Sequence, residues 1–172
     1  EGGSDWNKII VIDAVTKQQI GDTLVDIKFS GIAWQGDEGF YYSSYDKPQG
    51  SELSAQTDTH KVYFHKLGTK QSADRLIIGG ENFKRRYMGI GVSDDERFEV
   101  LNASEATNGN ELYIKDLKNK TDFIPIQKGY NFNTDFIDSK GDFIYALTDK
   151  NAPNMRLVKL NINNPDVWMD VI

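Results

Sequence analysis

Tyr87-Met-Gly-Ile-Gly-Val-Ser-Asp-Asp-Glu-Arg-Phe98 decides the fold, because its outline occurs twice more in the chain. Phe29-Ser-Gly-Ile-Ala-Trp-Gln-Gly-Asp-Glu-Gly-Phe40 and Phe132-Asn-Thr-Asp-Phe-Ile-Asp-Ser-Lys-Gly-Asp-Phe143 share its frame, an aromatic residue 11 positions ahead of a Phe. In each, Gly, Asp, Ser or Lys cluster before that Phe, the chemistry that turns one strand into the next. A second match follows: Val62-Tyr-Phe-His-Lys-Leu67, Leu112-Tyr-Ile-Lys-Asp-Leu117 and Leu157-Val-Lys-Leu-Asn-Ile162. From Phe98 to Leu117 and from Phe143 to Ile162 the step is 19 residues, whereas Phe40 to Leu67 takes 27. The first repeat therefore carries an insertion, placed between Tyr45 and Thr59.

The runs themselves read as strands. Gly39–Tyr45 is rich in aromatics, and Lys61–Leu67 mixes apolar and polar positions over one strand length. Asp74–Ile78, Asp122–Ile126 and Asp166–Val171 supply fourth strands, and Pro125 suits an edge strand because proline cannot donate to a ladder. No segment holds a capped 3.6-residue period, so little helix is expected. Four strands recurring every 45 to 58 residues is the arithmetic of a β-propeller. Ahead of the first repeat, Asn7–Asp13 and Asp22–Ile27 read as the third and fourth strands of a further blade. The expected fold is all-β, an incomplete β-propeller. It has the outer half of one blade (residues 5–28) and about three four-stranded antiparallel blades (about 29–80, 87–127 and 132–172). An immunoglobulin-like sandwich is the rival for short strands, and the repeat argues against it.

Composition narrows the function. The chain has 172 residues, 38% of them hydrophobic and 27% charged, enough for one packed domain. Its net charge of -6 speaks against a nucleic-acid partner, which would need a basic face. No apolar run nears the roughly 20 residues of a membrane-spanning helix, so no membrane partner is expected. Cysteine is absent, which removes disulfides and thiolate chemistry and leaves the compartment open. Glu1-Gly2-Gly3-Ser4 and Val171-Ile172 both read as cut ends. A cut ring would leave two blade faces bare, one near Phe132, Phe136 and Trp168, the other near Ile9–Ile12 and Leu24–Ile27. Self-association through those faces is expected.

No catalytic set is legible. A serine nucleophile on a sharp elbow needs Gly-x-Ser-x-Gly, and the nearest match, Gly91-Val92-Ser93-Asp94-Asp95, fails at its last position. The only histidines, His60 and His65, stand five apart on one strand, which turns them to opposite faces. They read as partly exposed, with no orienting carboxylate following. Gly89-Ile-Gly-Val-Ser-Asp94 begins like a dinucleotide fingerprint but lacks the third glycine and a following helix. Asp94, Asp95 and Glu96 lack the spacing of a calcium loop, so no metal and no cofactor are expected. Asn102-Ala-Ser104 and Asn119-Lys-Thr121 fit a glycosylation sequon, and Lys84–Arg86 is a basic cluster of the kind usual in solvated loops.

A resemblance adds what the residues alone do not. Asp26–Trp34, Gly39–Asp46, Ser51–His60, Lys61–Gly68, Gly109–Leu117 and Ala152–Val158 together resemble the propeller of the prolyl oligopeptidase family, its bacterial members above all. That resemblance implies a seven-bladed propeller seated over an α/β-hydrolase domain of the parent chain, which holds the Ser, Asp and His of a serine peptidase. It implies short proline-containing peptides as substrates, cut after proline, with the propeller excluding large folded proteins. This stretch by itself would be non-catalytic, in the cytoplasm or periplasm of a bacterium. By residue-wise match, Phe29 and Met88 would line the substrate cavity, as would the loop holding Ser104 and Thr107, although that loop lacks the arginine and cysteine of the animal enzymes. A free-standing propeller-type binding module is the alternative.

Overall fold

The computed structural model describes residues 5–46 and 58–172. The insertion expected between Tyr45 and Thr59 falls mostly outside them. Fourteen strands form four antiparallel sheets among these residues. Strands β1 (Asn7–Ile12) and β2 (Gln19–Ile27) make a two-stranded sheet. Strands β3 (Ile32–Gln35), β4 (Gly39–Tyr45), β5 (His60–Lys66) and β6 (Arg75–Gly79) form the next, paired in sequence order. So do β7 (Tyr87–Val92), β8 (Phe98–Ser104), β9 (Glu111–Asp116) and β10 (Ile124–Gln127), and then β11 (Thr134–Lys140), β12 (Phe143–Thr148), β13 (Arg156–Asn161) and β14 (Asn164–Asp170). Each is a meander whose strands follow one another across the sheet, which is the blade of a propeller. Strand β10 is an edge, as Pro125 required.

The chain divides into two compact units, Glu1–Ile90 and Gly91–Ile172. In the first, Val11, Leu24 and Ile27 from β1 and β2 pack on Phe40 and Tyr42 of β4. In the second, alternate residues of β8 and β9 (Phe98, Val100, Leu112, Ile114) pack with Ile144 of β12 and Leu160 of β13. Alternation selects those residues, since positions two apart share a face. Strand β4 is buried along its whole length, and so is most of β8. Both bury polar side chains along with apolar ones, Ser43 and Ser44 on β4 and Glu99 on β8.

The stretches expected to be left bare are exposed only in part. Leu24 and Ile27 point into the core, and Phe136 and Trp168 pack against the core of the second unit. Within the expected stretches Ile10, Ile12 and Val25 are exposed, and Ile137, Val167 and Met169 on β11 and β14 are exposed as well.

Candidate functional site

The histidine expectations need correction. His60 is 1% exposed and His65 2%, because both sit on β5 opposite aromatics of the buried β4, Tyr45 and Phe40. They do point to opposite faces. His65 has an orienting carboxylate after all: its Nδ1 lies 2.7 Å from Oδ1 of Asp74, just before β6. The Tyr42 hydroxyl donates to the other oxygen of Asp74 at 2.8 Å. Burial first, then that carboxylate, pushes the Tyr42 phenol well above its ordinary range. Gln71 extends the network. Its side-chain amide donates to the Val25 carbonyl at 2.9 Å and accepts from the Val25 N–H at 3.0 Å, so one side chain pairs with β2 as a strand residue would.

A cavity of about 480 Å³ opens beside this network, lined in part by Val25, Tyr42, Tyr45, Tyr63 and Asp74. Asp74 is spoken for by His65 and Tyr42, and the cavity's Asp46 pairs with Lys61. The network is structural in its chemistry, since among the described residues no nucleophile is bonded to the histidine.

A second cluster gathers where the chain enters β3 and β7. His60 accepts the Met88 N–H at Nδ1 (2.8 Å), and its Nε2 lies 3.3 Å from the Lys28 carbonyl. These contacts fix the neutral tautomer with the proton on Nε2. Burial pulls the His60 pKa below that of a free imidazole, against the smaller opposite pull of the Lys28 carbonyl. Tyr45 lies over the imidazole, with centroids 4.5 Å apart. Phe29 meets Tyr45 edge-on at 6.3 Å and Tyr87 at 5.9 Å.

Of the residues expected to line a cavity, Phe29 is 49% exposed and Met88 only 2%. Both belong to this cluster, Phe29 through its ring and Met88 through its backbone. Ser104 ends β8 half-buried and Thr107 is exposed in the loop before β9, both in the second unit. Ser93 lies in the β7–β8 turn, as expected. Its hydroxyl donates to Asp95 (2.6 Å) and accepts the Phe98 N–H (2.9 Å), so it shapes a hairpin. No group of three or more metal-ligating side chains is present among the described residues. Asn119 of the second sequon is bonded through its amide to Asp116, and Thr121 accepts the Asp116 N–H.

Three four-stranded meanders and a strand pair, with no assembled nucleophile among the described residues, define an incomplete β-propeller. A sequence profile of the prolyl oligopeptidase N-terminal β-propeller domain matches residues 1–172. The prolyl endopeptidase of Elizabethkingia meningoseptica is 66% identical over 175 residues, spanning 100% of this chain and 25% of that protein. Prolyl oligopeptidase A of Amanita bisporigera is 28% identical over 87% of this chain and 21% of its own length. A chain solved in a structural study of two prolyl endopeptidases superposes with a TM-score of 0.87 at 27% identity, covering 99% of this chain and 25% of that one. Prolyl oligopeptidase B of Galerina marginata, solved with a 35mer substrate, shares the fold at a TM-score of 0.84 and 21% identity, over 99% of this chain and 26% of its own. The chain belongs to the prolyl oligopeptidase family, as part of its N-terminal β-propeller domain. It spans about a quarter of the length of the curated relatives it matches.

Proposed function

We propose that this chain is the propeller portion of a serine prolyl endopeptidase that cleaves short peptides after proline, and that it gates substrate without catalysing by itself. The observation that carries the reading is the 66% identity to prolyl endopeptidases along the whole chain. The occupied hydroxyl of Ser93 and the buried His65–Asp74 pair support it from the other side, since neither can attack a peptide. An α/β-hydrolase domain elsewhere in the parent chain supplies the triad. Phe29 contributes to the substrate cavity, which its half-exposed ring supports. Met88 contributes packing beneath that surface, in line with its burial. For Ser104 and Thr107 a cavity-lining role rests on the resemblance alone.

The test is direct. The full-length parent hydrolyses a fluorogenic Gly-Pro amide, and the 172-residue chain releases no fluorophore above buffer. Turnover that scales with the concentration of repurified chain would overturn the non-catalytic reading. Isolated, the chain self-associates through exposed apolar residues such as Ile10, Ile12, Val167 and Met169. Light scattering across a concentration series shows a mass above the monomer's, and a monomer at every concentration would refute this part.

A further inference from the structure

Asn108-Gly109 is the only Asn-Gly pair in the chain. Asparagine is a thermolabile residue, and a glycine after it leaves the next backbone nitrogen unshielded and free to turn toward the carboxamide. The pair sits in the loop of residues 105–110, between β8 and β9. Asn108 is exposed to water, whereas Gly109 is buried. The Gly109 nitrogen is tied down, because its N–H donates to Oδ1 of Asn133 at 2.9 Å. Asn133 is itself fixed. Its backbone N–H and its side-chain amide both donate to the Asp149 carboxylate, at 2.8 and 2.6 Å, and its carbonyl accepts from the Thr148 hydroxyl at 2.8 Å. The Gly109 backbone is also pressed against that of Tyr130, with no space for even a Cβ between them. A water-exposed carboxamide therefore stands one residue ahead of a backbone nitrogen that the fold immobilises.

We propose that Asn108 is a self-modification site, at which the Gly109 nitrogen closes on the Asn108 carboxamide, and that Asn133 holds this reaction off while the loop is in place. The chemistry needs water and nothing else. The Gly109 nitrogen gives up its proton and forms a bond to Cγ of Asn108. The side-chain nitrogen of Asn108 leaves Cγ with that proton, as ammonia. Water then opens the five-membered imide at one carbonyl or the other, which yields aspartate or isoaspartate. The imide nitrogen carries no hydrogen, so the ring cannot form while the bond to Asn133 persists. Isoaspartate would also add a carbon to the backbone beside a glycine that is wedged against another backbone segment. The fold opposes both the ring and that product, and conversion follows local opening of the loop.

The experiment holds the full-length parent enzyme at about pH 8 and compares it with a synthetic peptide of residues 98–115. That peptide is the fragment trypsin releases by cutting after Arg97 and Lys115. Mass spectrometry reads amide-to-acid conversion at each asparagine. Asn108 should convert, while Asn102 before Ala103 and Asn110 before Glu111 stay intact as internal controls. Conversion in the folded enzyme should be at least about tenfold slower than in the peptide, because a hydrogen bond must break first. Asn133→Leu should bring the rate to within about threefold of the peptide's. Asp149→Asn can accept only one of the two Asn133 bonds and should fall between. Val158→Ala hollows the buried core of β13 but leaves Asn133 in place, so its rate should stay within about twofold of the unsubstituted enzyme's. Equal rates in folded enzyme and peptide overturn the proposal. So do Asn133→Leu and Asp149→Asn rates that both match the unsubstituted enzyme's, or conversion of Asn102 or Asn110 ahead of Asn108. Equal acceleration by Val158→Ala and Asn133→Leu would assign control to global unfolding and refute the role of Asn133.

Discussion

His60 and Asn110 hold the same position of the repeat, two residues before Val62 and Leu112, and perform the same task. Each side chain reaches out of its own sheet and captures the first strand of the next. His60 takes the Met88 N–H at 2.8 Å. Asn110 takes the Thr134 N–H at 2.7 Å and donates its own amide to the Thr134 carbonyl at 2.8 Å. The innermost strand of each blade has one edge without a strand partner, so its backbone groups must find partners elsewhere. An acceptor at this repeat position supplies one. The repeat is thus a device for joining blades as well as for building them.

Asn110→Ala should cost about 2–4 kcal/mol, because it leaves both the N–H and the C=O of the fully buried Thr134 without partners. Urea denaturation of the chain measures this. A loss within about 0.5 kcal/mol would mean that water or a shift of β11 replaces both bonds.

His60 gives the joint a pH dependence. Burial lowers its pKa in the folded chain, so below the unfolded value of about 6.5 the unfolded chain binds the extra proton first. The sign is therefore fixed: stability is complete above about pH 6.5 and declines as pH falls toward the folded pKa. Melting temperature followed from pH 7.5 to pH 5 should drop, and His60→Asn should flatten part of that drop. An identical slope in the variant would assign the pH dependence to other groups.

The three repeats, their strands and the edge placement of Pro125 were legible because turn chemistry and aromatic spacing are local signals. Burial of the histidines was not. His65 looks half-polar in Lys61–Leu67, and its partner Asp74 is nine residues on, across a hairpin that brings β6 beside β5. The outward turn of Tyr87 needed only strand alternation once Met88 was known to face inward, but no local pattern says which of two neighbours is inside. Side chains that join blades leave a trace only when repeats are compared position by position, and His against Asn does not look like a match until their bonds are seen.

Arg97 binds the turns of two successive sheets in the second unit. Its Nε (3.1 Å) and Nη2 (2.6 Å) donate to Asp116, Nη2 also to Asp142 at 2.7 Å, and Nη1 to the Gly141 carbonyl at 2.7 Å. The Asp116 side chain is 2% exposed. Burial by itself would raise its pKa, but hydrogen bonds from Arg97 and then Asn119 outweigh burial and hold the carboxyl below its usual value. Arg97→Met should cost about 3–5 kcal/mol, since it strands a buried carboxylate. The lowered pKa means that this contribution is present above about pH 4 and lost as pH falls through the folded value. Without Arg97 the burial effect is less opposed, so the acid transition of the variant should begin at higher pH. Circular dichroism from pH 7 to pH 2 reads both, and an unshifted acid midpoint would show that Asn119 alone holds the charge.

At Gly109 the backbone leaves no room for a side chain. It precedes Asn110 at φ +78°, and a Cβ built there would stand 1.8 Å from the Tyr130 carbonyl oxygen. That contact is with backbone, so no rotamer change relieves it. The Gly109 N–H also donates to the Asn133 side chain at 2.9 Å, and Asn133 is held in turn by Asp149. Gly109→Ala therefore adds left-handed strain of about 1–2 kcal/mol for a residue with a Cβ and pushes the segment at Tyr130 away. The displaced segment leads directly into β11, so the Asn110–Thr134 pair should be lost with it. Gly109→Ala should thus destabilise the chain at least as much as Asn110→Ala, and adding Asn110→Ala to it should cost little more, since the two residues act on one joint. Denaturation of the two single variants and the double variant forms the cycle. Full additivity of the two losses would show that Gly109 and Asn110 support the fold independently and would refute the shared joint.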